Sequence, residues 1–111
     1  MECIFCKIVS GEVNSKKVYE DDDIIAFNDL NPQAPTHILI IPKKHIESIL
    51  DLKEGDMELV GKIHIVAKKI AEKNGITDFR IVTNCGKKAG QSIFHLHFHF
   101  LSGRRFIWPP G

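Results

Sequence analysis

The sequence predicts an α+β fold: an antiparallel sheet of about five strands, one long helix and a short N-terminal helix. Three observations predict it. Residues 55–74 repeat apolar side chains at spacings of three and four (Leu59, Val60, Ile63, Val66, Ala67, Ile70, Ala71), with Lys62, Lys68, Lys69, Glu72 and Lys73 on the wet side. Two short β-rich runs flank the turn-favouring Asp21-Asp22-Asp23, as in an antiparallel hairpin. From Ser92 to Leu101, polar and apolar residues alternate with a period of two, the pattern of a strand. At 111 residues, 43% of them hydrophobic, the chain is sized for one domain over residues 1–111 with a substantial core.

The elements follow in order. Cys3-Ile4-Phe5-Cys6 opens the short helix, which Ser10-Gly11-Glu12 breaks. Lys17–Glu20 and Ile24–Asn28 are the hairpin strands, and the acidic turn between them reads as solvated surface. Asp29-Leu30-Asn31-Pro32 stops the second strand. His37–Pro42 is almost continuously apolar, which fits a central strand covered on both faces and ended by proline. The long helix stops at Asn74-Gly75, and His64 within it reads as an ordinary helix residue. Phe79–Asn84 is the next strand. A Gly-containing loop, Cys85–Ser92, leads into the alternating stretch. The tail 104–111 carries Phe106, Ile107 and Trp108 beside Pro109 and Pro110; the prolines exclude an ordinary helix or central strand, and the apolar side chains need a surface to pack on.

Composition narrows the function. A net charge of +1 gives no reason to expect a nucleic-acid or anionic membrane partner. No apolar run approaches the roughly 20 residues of a membrane span. The opening Met1–Cys6 lacks a basic region followed by an apolar one, so a cytoplasmic location is expected. Three cysteines cannot all pair, and in a reducing compartment Cys3-x-x-Cys6 points to a metal or a redox pair before a structural disulfide. Two thiolates are half of a tetrahedral zinc site.

The chemistry is expected in the alternating stretch. On a strand, His95, His97 and His99 share one face, while Phe94, Leu96, Phe98 and Phe100 point into the core. Neighbours on one face are roughly 7 Å apart, so the outer two rings stem from backbone about 13 Å apart. With zinc–nitrogen bonds of about 2.0 Å, all three can hardly share one ion. The row is therefore divided between tasks. The preceding loop offers backbone amides suited to an anion.

His95-x-His97-x-His99, preceded by Gly90-Gln91-Ser92, resembles the signature of the histidine triad family. The stretch from Asn31 through Pro42 to His45 is similar to that family's second block, and Trp108-Pro109-Pro110-Gly111 resembles the C-terminus of its Hint branch, the nucleoside phosphoramidate hydrolases. The resemblance covers essentially the whole chain. It implies a structural zinc ion held by Cys3, Cys6, His45 and His95, with no catalytic metal required. It implies that Asp29 binds a ribose with Leu30 beside it, and that Asn84, Gly90, Gln91 and Ser92 contact the phosphate and leaving group; Phe27 by itself reads equally as a base-pocket wall or as core. His97 is then the nucleophile, His99 the donor to the charge that builds on phosphate, Ser92 the contact to the leaving amine, and His37 the residue that orients the row. The implied reaction is hydrolysis of a purine nucleoside 5′-phosphoramidate to AMP and an amine, through a covalent nucleotidyl-histidine. The long helix and the tail would form a homodimer interface, the tail bordering the partner's site. Rival readings are a dinucleoside polyphosphate hydrolase or nucleotidyl transferase of the same family, a zinc-stabilised nucleotide-binding module, and a metalloenzyme using all three triad histidines around an open ion.

Overall fold

A computed structural model describes residues 3–111; Met1 and Glu2 of the opening stretch lie outside it. Five strands form one sheet: β1 (Lys17–Glu20), β2 (Ile24–Asn28), β3 (Thr36–Pro42), β4 (Phe79–Val82) and β5 (Phe98–Ser102). Their order is β1-β2-β3-β5-β4, and every neighbouring pair is antiparallel. The helices are α1 (Ile4–Ser10) and α2 (Met57–Lys73). The first turn expected for α2 is instead a 3-10 turn, Glu54–Asp56, leading directly into it.

β3 is buried along almost its whole length because the sheet is covered on both faces. On one face Ile24, Ala26, Ile38, Ile40, Phe98 and Phe100 pack with Ile63, Val66, Ala67 and Ile70 of α2. On the other, Ile25, Phe27, Leu39 and Ile41 pack with Phe5 and Ile8 of α1. The period-two register divides one apolar strand between two helical layers, and α1 thereby comes to lie over the sheet face opposite α2. Among the described residues, no helix is long and apolar enough to cross a membrane.

The alternating stretch departs from expectation in two respects. Strand pairing begins at Phe98, not Ser92. The ladder between β3 and β5 runs from Thr36↔Ser102 to Ile40↔Phe98 and stops near Pro42, which has no N–H to donate. Residues 92–97 leave the sheet and are held otherwise: the Leu96 N–H donates to the Ile46 carbonyl at 2.6 Å. The alternation survives, with Leu96 in the α2-side core, but Phe94 is 39% exposed, since it lies beyond the strand and outside both clusters. β4 likewise ends at Val82, short of Asn84.

The tail is anchored at Phe106, whose ring lies under the guanidinium groups of Arg104 (4.3 Å) and Arg80 (5.2 Å). Arg80 also donates to the Ile107 carbonyl at 3.1 Å. Trp108 remains 81% exposed, so its own chain does not cover it.

Candidate active site and metal centre

Burial and backbone hydrogen bonds decide what each imidazole can do. His95 is fully buried, and its Nε2–H donates to the Pro42 carbonyl at 2.7 Å, because a carbonyl can only accept. Its Nδ1 is therefore a bare lone pair. It faces Cys3 Sγ at 3.5 Å, Cys6 Sγ at 3.6 Å and His45 Nδ1 at 3.2 Å, and Cys6 Sγ lies 3.3 Å from His45 Nδ1. In a tetrahedron with ordinary zinc–sulfur and zinc–nitrogen bonds, ligand atoms stand roughly 3.3–3.8 Å apart. Two thiols and two ring nitrogens at near-tetrahedral spacing make a donor set that suits zinc. The Pro42 carbonyl behind His95 is the outer partner that metal-ligating histidines usually have.

A second group, Asp29, His37 and His99, also has its donor atoms close together, but its protons are arranged differently. The Gln33 backbone N–H donates to His37 Nδ1 at 3.0 Å, so neutral His37 carries its proton on Nε2. That Nε2–H donates to His99 Nδ1 at 2.9 Å, with Asp29 Oδ2 3.4 Å away. His99 in turn keeps its own proton on Nε2. A cation would have to displace the proton held between His37 and His99, so this group is a hydrogen-bond relay and not a metal site.

His97 has a third arrangement. Its Nδ1–H donates to the His95 carbonyl at 2.7 Å. Its Nε2 has no hydrogen-bond partner among the described residues, and His97 lines a cavity of about 440 Å³. The Phe5 ring meets the His97 ring edge-on, centroids 5.2 Å apart, and the His99 ring lies 5.1 Å from it. Burial lowers the pKa of His37, His95 and His97 below the ordinary imidazole value. Burial, then the neighbouring His97 and His37, push His99 down to about 4. All four rings are neutral at neutral pH. His95 and His97 aim their available nitrogens at different places, so the three triad histidines do not surround a common ion.

The cavity gathers Phe27, Asp29, Leu30, His37, Ser92, His97 and His99 of the expected site residues. Asp29 Oδ1 accepts the Asn31 N–H at 2.8 Å, which fixes the carboxylate at the end of β2. Asn84, Gly90 and Gln91 are not in the lining. Gln91, expected at the phosphate, has its side chain engaged within the loop. Its side chain is buried; Nε2 donates to the Glu47 and Ile93 carbonyls, and Oε1 accepts the Gly86 N–H. Its own N–H donates to the Gly86 carbonyl. Its side-chain amide and its N–H thus brace the loop. Asn84 packs beside Gly90, again within the loop.

Sequence reasoning missed the opposite wall, where Ile4, Phe5, Ile8, Val13, Leu39 and Ile93 make the cavity mostly apolar. Ile4 and Ile8 are one helical turn apart, a visible spacing, but nothing local shows that α1 lies over the histidine row.

Residues 2–105 match a family model described as "Scavenger mRNA decapping enzyme C-term binding". The chain is 48% identical to an uncharacterized HIT-like protein of Synechocystis, covering 99% of this chain and 97% of that protein. The chain belongs to the histidine triad family. Its structure is similar to that of a HIT family hydrolase from Legionella pneumophila, with a TM-score of 0.96 and 49% identity over 99% of this chain and all of the other. It is likewise similar to a histidine triad protein from Clostridium difficile, with a TM-score of 0.93 and 52% identity over 96% and 95% of the two chains. A 14 kDa zinc-binding protein of Zea mays is 46% identical over 97% of this chain and 87% of its own. This histidine triad protein thus has relatives named as a hydrolase and as a zinc-binding protein, and it carries a donor set fitted to zinc.

Proposed function

We propose that this protein hydrolyses the P–N bond of purine nucleoside 5′-phosphoramidates, of the Hint type, through a covalent intermediate on His97. One observation carries the proposal: the His95 carbonyl accepts the hydrogen bond of His97 Nδ1–H, which leaves Nε2 an unpartnered lone pair on a residue that lines the cavity. A neutral imidazole so fixed is a competent nucleophile. The apolar wall from α1 suits a purine, and Asp29 at the cavity rim suits ribose hydroxyls.

In the first step His97 Nε2 attacks phosphorus, the P–Nε2 bond forms and the P–N bond to the amine breaks. His99, neutral and holding Nε2–H, donates a hydrogen bond to the charge that builds without giving up its proton. The proton acquired by the amine comes from solvent, with Ser92 at the cavity mouth positioning the leaving group. In the second step water attacks phosphorus, the P–Nε2 bond breaks, AMP leaves and the water proton returns to solvent. Zinc at Cys3, Cys6, His45 and His95 is structural: four protein ligands leave no position for substrate. It would tie α1, the segment after β3 and the triad segment together. The protein is proposed to act as a homodimer, with exposed Ile65 of α2 and Trp108 of the tail as the apolar surface that a second copy covers.

The test is adenosine 5′-phosphoramidate turnover by wild type and His97→Ala, with intact mass recorded after rapid acid-free quenching. An added adenylyl group in wild type, absent from the variant, is expected. Substantial turnover by correctly folded His97→Ala would remove His97 from the nucleophile's role. Faster turnover of diadenosine polyphosphates by wild type would move the protein to the other branch of its family.

A further inference from the structure

The proton on His99 Nε2 is fixed by a chain of contacts that begins outside the cavity. His99 Nδ1 accepts from His37 Nε2, and His37 Nδ1 accepts from the Gln33 N–H. The other backbone group of Gln33 is engaged as well: its carbonyl accepts the Arg104 Nε–H at 3.0 Å. Arg104 stands at the root of the C-terminal tail, 71 residues away in sequence. The approach is close because residue 103 is glycine. A Cβ there would lie 2.8 Å from Pro35 Cβ, and its φ of +98° is one that L side chains rarely adopt. The Arg104 guanidinium is itself held over the Phe106 ring and donates through Nη1 to the Arg105 carbonyl at 3.2 Å.

We propose that Arg104 is a positioning residue for the donor His99, acting through Gln33 and His37. By holding the Gln33 carbonyl, Arg104 keeps that residue's N–H aimed at His37 Nδ1. The neutral His37 ring can then protonate only Nε2, which makes His99 Nδ1 an acceptor and places the His99 proton on the nitrogen available to substrate. Without Arg104, the loop retains its own brace, Gln33 Nε2 to the Asn31 carbonyl, so the fold survives while the proton arrangement loosens. The root of the tail is thereby part of the machinery, independently of what its exposed end touches.

The rate effect rests on the proposed hydrolysis; the proton arrangement does not, and the two are read separately. Ring-nitrogen NMR of histidine-labelled, zinc-loaded full chain reports which nitrogen of His37 and His99 carries hydrogen. Wild type is expected to show both as Nε2–H. Arg104→Ala should give mixed tautomers at His37 and His99, and a fall in kcat of about fivefold, the size of one net hydrogen bond, with KM nearly unchanged. Arg104→Lys should restore much of both. Arg80→Ala is the control: it frees Phe106 and the Ile107 carbonyl but has no contact with Gln33, so the tautomers should stay as in wild type. Unchanged tautomers in Arg104→Ala, or equal disturbance in Arg80→Ala, would overturn the proposal. If wild type turns over no phosphoramidate, the NMR comparison still decides the positioning role, and only the proposed reaction fails.

Discussion

Removing the metal centre should loosen the whole protein, and the size of the effect follows from where the four donors come from. Cys3 and Cys6 sit at the start of α1, His45 follows β3 and His95 precedes β5. Cys6 and His45 are 39 residues apart, and His45 and His95 are 50 apart. A link closing a loop of about 40 residues removes about 4 kcal/mol of chain entropy from the unfolded state in the loop-closure model. Unfolded thiolates that still hold metal reduce that gain. At several degrees per kcal/mol for a domain near this size, the expected fall in Tm is on the order of 15 °C. The assay is thermal unfolding of zinc-loaded protein with and without a strong chelator, beside Cys6→Ala. The chelator should lower the wild-type Tm by about that amount and leave Cys6→Ala, already low, almost unmoved. Complete metal removal with an unchanged wild-type Tm would refute the inference that these residues form a cross-link.

Four further outcomes are expected. His97→Ala should lose at least about a thousandfold in phosphoramidate turnover, since the loss of a nucleophile is not made good by hydrogen bonding to phosphate alone. Burial holds His97 and His99 below the ordinary imidazole pKa of 6.5, so the acid limb of kcat/KM should fall below pH 6.5; a limb at or above that value would contradict neutral buried rings. The same shift makes stability pH-dependent: the unfolded chain binds more protons than the folded one between about 6.5 and 4, so the contribution of His99 is complete above 6.5 and is lost as pH falls towards 4, measurable as a declining urea midpoint. Gly103→Ala should destabilise by about 2 kcal/mol or more, from a strained φ and a clash with Pro35, whereas Gly11→Ala, also at positive φ but meeting nothing nearby, should cost about 1 kcal/mol; equal losses by denaturant unfolding would show that the Pro35 contact is not tight.

The local signals were largely legible. The spacing in α2, the turn at Asp21–Asp23 and the continuous apolar run of β3 depend on periods and turn chemistry that a sequence displays directly. Asp21 illustrates the limit: its place in an acidic turn was visible. That it accepts from Tyr19 and from the Asp23 and Ile24 N–H groups, and lies beside Lys62, was not. Together these hold its carboxyl well below the usual range in spite of burial. Gln91 illustrates it again: its place beside the triad is visible in the sequence, whereas the bonds of its buried amide to the loop are not.

What the sequence by itself determined is which side chains alternate: His95, His97 and His99 on one side, Leu96, Phe98 and Phe100 on the other. Period two is a property of an extended backbone and needs no partner. What only the tertiary structure decided is the state of each ring. The Pro42 carbonyl, the His95 carbonyl and the Gln33 N–H choose which nitrogen keeps its proton, and so leave His95 Nδ1 bare towards the cysteines, His97 Nε2 bare, and the proton of His99 on Nε2. Two of those backbone groups, Pro42 and Gln33, belong to segments that chain folding alone brings against the row, and an imidazole has no preference strong enough to fix its tautomer without them.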